Sequence, residues 1–74
     1  MMKELDIKNA DQVRRISDLA SEAPYEVWLS TDVVMLDARS LLGLYALVGK
    51  KVHVVAEDDV DPKQFFKLVS KMDR

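Results

Sequence analysis

The chain has 74 residues, a net charge of −2, no cysteine and 49% hydrophobic residues. One domain spanning residues 1–74, near the lower size limit for a self-sufficient core, is expected, and disorder is not. The weak acidic balance excludes a broadly basic nucleic-acid binder. No stretch approaches the roughly 18–20 apolar residues of a membrane span, and the charged start has no secretory pattern. With no disulfide framework available, a cytoplasmic location is expected.

The elements follow in chain order. Lys3-Glu4-Leu5-Asp6-Ile7-Lys8 alternates polar and apolar residues and predicts a half-buried strand. Asn9 or Asp11 offers a helix N-cap. Val13, Ile16, Leu19, Ala20 and Ala23 then recur at helical spacing, with Arg14, Arg15, Asp18 and Glu22 elsewhere around the helix, and Pro24 stops it. Tyr25 to Ser30 and Val33 to Leu36 are rich in β-branched and aromatic residues, so they predict a hairpin turning at Thr31-Asp32, without the glycine such turns favour. Asp37 or Ser40 would cap a second helix from Leu41 to about Val48, ended by Gly49. Lys51 to Glu57 predicts a fourth strand. Asp61-Pro62 opens a last helix with a stripe of Phe65, Leu68, Val69 and Met72, and Lys67, Lys71 and Arg74 suit its negative end. The order β-α-β-β-α-β-α implies an α+β two-layer open sandwich, because three amphipathic helices and one sheet each need a covered face.

This order resembles the histidine-containing phosphocarrier family (HPr) of the bacterial phosphoenolpyruvate-dependent sugar phosphotransferase system. Arg39-Ser40-Leu41-Leu42-Gly43-Leu44 resembles the family's basic-Ser-aliphatic-aliphatic-Gly-aliphatic run at its second helix. The resemblance implies an antiparallel four-stranded sheet of order 1-4-2-3 with three helices on one face. It also implies a phosphoryl-accepting histidine in a Gly-x-His-x-Arg-Pro run after the first strand. This chain departs there. An ungapped count from Ser40 puts Asn9 at the histidine position, Asp11 at the arginine and Gln12 at the proline. An amide nitrogen has no lone pair for relay. Asp11 could form an acyl phosphate, but its charge repels an incoming phosphate, so an unorthodox acceptor is the weakest alternative.

The family resemblance makes Ser40 a candidate for regulatory phosphorylation by an ATP-dependent serine kinase, after which the modified protein would engage a transcriptional regulator. A dianion at a helix start meets free backbone N–H groups, and Arg39 adjoins it; a plain helix cap is the ordinary alternative. Leu41, Leu42 and Tyr45 match an exposed apolar patch that family members use for protein partners, and Arg39 joins them as a partner-binding candidate, while Leu44 and Val48 are assigned to the core. If Val27, Leu29, Val34 and Leu36 face the helices, then Trp28, Val33, Met35 and Val55 share the outer sheet face, a candidate self-association surface for a homodimer. The single histidine, His53, sits mid-strand without metal-ligand companions, and the acidic run Glu57, Asp58, Asp59, Asp61 lacks calcium-loop spacing. Neither a nucleophile–base set nor a glycine-rich phosphate loop occurs. The expectation is a non-enzymatic, cofactor-free regulatory or protein-binding module; the alternative is a self-associating structural domain with no phosphotransferase role.

Overall fold

The computed structural model describes residues 1–74. Strand β1 covers Met2–Asp6, helix α1 Ala10–Glu22, β2 Trp28–Ser30, β3 Met35–Asp37, α2 Leu41–Tyr45, β4 Lys51–Val55 and α3 Pro62–Met72. The sheet order is β1-β4-β2-β3 with every pair antiparallel. The α+β architecture, element order and sheet order are those expected.

Alternation decides which residues reach the helical layer. Leu5 pairs with Val52 and Leu29 with Val54 in register, and all four are buried. The helices supply Val13, Ile16 and Ala20 from α1, Leu44 from α2, and Phe65, Val69 and Met72 from α3. Burying a large aliphatic or aromatic side chain contributes roughly 1.5–3 kcal/mol, so this one cluster dominates the stability of so short a chain.

Helix ends follow local chemistry. The Asn9 side chain accepts a hydrogen bond from the Gln12 N–H, and the Asp61 side chain accepts from the Lys63 N–H with Pro62 in the first turn. At Gly49 the backbone turns with φ of 87°, and its N–H donates to the Ile7 carbonyl at 2.6 Å. Only a residue without Cβ takes that conformation freely, and the bond ties the approach to β4 onto the exit from β1.

The middle of the chain differs from expectation. The hairpin loop spans four residues rather than two: Ser30 pairs with Met35, and Thr31 N–H donates to the Val34 carbonyl. Thr31 Oγ1 accepts from the N–H groups of Val33 and Val34, an arrangement that needs no glycine. Val33 therefore lies in the loop, 92% exposed, and not on the outer sheet face. Val34 is likewise exposed rather than facing the helices. Helix α2 stops at Tyr45, and turns follow through Gly49. That break shifts the helical phase, so Leu47 enters the core and Val48 points outward, reversing the expected assignment of Val48.

Candidate functional site

Three regions carry the candidate residues: the start of α1, the start of α2, and the outer sheet face. At the start of α1, each polar group already has a structural task. Asn9 caps the helix and is exposed. Gln12 is fully buried. Its Oε1 accepts from the Lys8 N–H at 2.7 Å, and its Nε2 donates to the carbonyls of Asp6 and Met72, both at 2.9 Å. Lys8 Nζ lies 3.7 Å from the Asp73 carboxylate, and Arg15 donates to the Arg74 carbonyl. The end of α3 is thereby stitched onto the first turn of α1. Asp11 and Arg14 are exposed, and neither makes an ion pair.

At the start of α2, Ser40 occupies the N-cap position just before Leu41, but its side chain makes no capping hydrogen bond. The local turn is held by Asp37 instead, whose Oδ1 accepts from the Arg39 N–H at 2.9 Å. The Arg39 guanidinium returns to the same carboxylate, with Nη2 2.7 Å from Oδ2, and also reaches Glu26 at 3.3 Å. These hydrogen bonds and the adjacent positive charge pull the Asp37 carboxyl down to about 2. Buried Ser17 donates its hydroxyl to the Arg39 carbonyl at 3.0 Å, fixing the approach to α2 from below. Glycine at position 43 leaves room for the Leu36 side chain to pack against α2. A Cβ there would sit 3.2 Å from Ser40 Oγ and 3.3 Å from Leu36 Cδ1.

The α2 side chains divide sharply. Leu44 is buried, Leu41 is half-buried against the core, Leu42 is 86% exposed and Tyr45 41% exposed. Val48 adds an exposed apolar residue one turn on.

Two solved structures share this fold across nearly their whole length. HPr-C-His from Thermoanaerobacter tengcongensis matches with a TM-score of 0.72 at 23% identity, covering 99% of this chain and 88% of its own. Phosphocarrier protein HPr from Bacillus anthracis matches with a TM-score of 0.73 at 14% identity, covering 96% of this chain and 94% of its own. The fold is that of HPr. No protein-family model and no curated protein matches this chain in sequence.

Within the HPr fold, the third region is the outer face of the sheet. Met2, Val55 and Trp28 stand in one register row across β1, β4 and β2, with Asp37 completing it on β3. The next row is Glu4, His53, Ser30 and Met35. Trp28 and Val55 are half-buried and Met35 is exposed. The structure thus places Trp28, Met35 and Val55 on one face and leaves Val33 off it.

Among the His, Cys, Asp and Glu residues, no group could hold a metal ion, and His53 is an exposed strand residue. No helix is long and apolar enough to cross a membrane. Gln12 is the residue that hydrophobic patterning missed: a polar side chain on the buried face of α1, whose partner Met72 lies at the far end of the chain. The one local signal was its place three residues after a capping Asn9.

Proposed function

We propose that this chain is an HPr-like, phosphotransferase-related binding module that works without a phosphocarrier histidine, docks protein partners through Leu41, Leu42 and Tyr45, and is regulated by phosphorylation at Ser40. The observation that carries the reading is the pairing of a nearly fully exposed Leu42 with an exposed, uncapped Ser40 at the start of the same helix. Leucine at that exposure gains nothing for the fold, whereas partner contact would remove its apolar area from water. A phosphate on Ser40 would sit beside the Arg39 guanidinium and compete with Asp37 and Glu26 for it, changing the charge at the edge of the patch.

The same reading takes Asn9 as the replacement of the carrier histidine. An amide engaged as a helix cap offers no nucleophile, so the module is not an enzyme and does not relay phosphate. A cytoplasmic partner set, a serine kinase and a transcriptional regulator among it, accords with the resemblance. The test is intact-mass spectrometry after incubation with ATP and a serine kinase of the HPr type. One phosphate on the native chain and none on Ser40→Ala supports the switch; no addition to either, with the kinase active on HPr, refutes it. Phosphoenolpyruvate with enzyme I should transfer no label, and transfer would restore the carrier reading.

The row formed by Met2, Val55 and Trp28 favours a second reading, a homodimer through the outer sheet face. Sedimentation decides it: a dimer that Trp28→Glu abolishes supports it, and a monomer at high concentration removes it.

A further inference from the structure

A groove lies between the end of α1 with the segment that leaves it, Leu19 to Tyr25, and α3 from Gln64 to Lys71. Its floor is apolar, built from the half-buried Leu19, Ala23 and Leu68 and the ring of Tyr25. Its volume is about 230 Å³ and it is open to solvent. That is below the roughly 300–1,000 Å³ of pockets that enclose a small molecule, and suits a single large apolar side chain.

The rim is what gives the groove a preference. Lys67 and Lys71, one helical turn apart on α3, stand along one wall. Neither makes an ion pair, although the chain carries a net charge of −2 and Lys8 and Lys51 both lie against carboxylates. Lys63 continues the same unpaired row one turn earlier on α3. The Tyr25 hydroxyl and the Gln64 amide, also lining the groove, make no hydrogen bond within the chain. The Tyr25 phenol is protonated at neutral pH and free to donate, and burial moves its pKa further upward. The opposing charge is Glu22, on the α1 wall.

We propose that this groove docks a partner segment that presents one large apolar side chain flanked by acidic residues. The apolar side chain would lie over Leu19 and Leu68, and the flanking carboxylates would meet Lys67, Lys71 and the Tyr25 hydroxyl. Complementarity to two unpaired ammonium groups sets the sign of the partner, and Glu22 directs its acidic residues to the α3 side. Helix α1 packs against both α2 and α3, and no α2 residue lines the groove, so this contact uses residues distinct from the Leu42 patch.

The test uses the full chain, labelled with nitrogen-15, titrated with the capped peptide Ac-Glu-Asp-Phe-Asp-Glu-NH2. Amide shifts are expected to cluster at residues 19–25 and 64–71. The double variant Lys67→Glu/Lys71→Glu should weaken binding about ten-fold or more, which corresponds to about 1.4 kcal/mol. All these side chains are exposed, and an unchanged far-ultraviolet circular dichroism spectrum checks that the variant is folded. Raising salt from 0.05 to about 0.5 M should weaken binding as well. The proposal is overturned by the absence of shifts at millimolar peptide, by shifts confined to residues 40–48, by equal binding of a peptide with lysine in place of its acidic residues, or by an unaffected double variant. Benzoate producing the same shifts while the peptide produces none would mark a small-carboxylate site and also overturn it.

Discussion

Replacing Gln12 with leucine tests whether one buried amide ties the two ends of the chain together. The side chain is fully buried and makes three hydrogen bonds, to the Lys8 N–H and to the carbonyls of Asp6 and Met72. Leucine has similar bulk, so the cavity contribution is small. What changes is polar satisfaction. The bond to Met72 is buried, whereas those to Lys8 and Asp6 are partly open to water. An unsatisfied buried group costs about 1–3 kcal/mol, and partly solvated groups cost less because water replaces the lost partner. The expected loss is therefore about 2–3 kcal/mol. For a domain of this size each kcal/mol lowers Tm by roughly 4–8 °C, which predicts a fall of about 8–24 °C.

Urea unfolding followed by Trp28 fluorescence and circular dichroism measures this directly. Amide hydrogen exchange adds a local readout, since Lys8 should lose protection beyond the change in global stability. A loss below about 0.5 kcal/mol with Lys8 protection intact would refute the reasoning, because it would mean that water satisfies all three groups in the native protein. Gln12→Glu keeps the acceptor for Lys8 but sets a carboxylate against two carbonyls. It should destabilise at neutral pH at least as much as leucine does.

Further predictions follow from single features. Leu42→Asp should change stability by less than about 0.5 kcal/mol while abolishing binding of a partner that uses α2, whereas Leu44→Ala should cost about 2–5 kcal/mol in urea unfolding. Gly49→Ala should cost about 1–2 kcal/mol, because a Cβ at positive φ is strained even though nothing crowds it. The Asp37 carboxyl titrates at about 2 against an ordinary value of 3.8, so its contribution is present above pH 3.8 and is lost as pH falls toward 2. The pair is exposed and screened, so the native protein should be only slightly more stable than Arg39→Gln in urea unfolding at pH 6, with the gap closing as pH falls to 2.

The sheet and its core were legible because alternation and helical spacing act locally. Leu5, Val52 and Val54, and the α1 and α3 stripes, follow from those periods alone. Strand order does not: it depends on contacts between distant segments, and came only with the resemblance carried by residues 39–44. The errors sit where local rules compete. Thr31 closes a four-residue loop with its side chain where a glycine turn would have been two residues long, and that choice removes Val33 from the sheet face. A helix one turn shorter than its apolar run exchanges Leu47 for Val48.

The candidate site was legible unevenly, and the unevenness has a physical source. Exposure of Leu42 follows from a helix apolar on nearly every side that only one layer can cover. The task of Gln12 could not be read, because its decisive acceptor, the Met72 carbonyl, is a backbone group sixty positions away. The consequence bears on function. In the HPr-like reading proposed above, relay would fall at the start of α1 and would need a nucleophile there that is free to receive and release its cargo. In this chain Asn9, Gln12, Lys8 and Arg15 all have intramolecular partners there. On the proposed correspondence of Asn9 with the carrier position, Asn9→His alone would leave an incoming phosphate facing Asp11, with Arg15 still held by the Arg74 carbonyl. The single substitution should accept no label from phosphoenolpyruvate and enzyme I. The double Asn9→His/Asp11→Arg variant is the one expected to regain a measurable fraction, and label on the single variant would show that the tied groups are no obstacle.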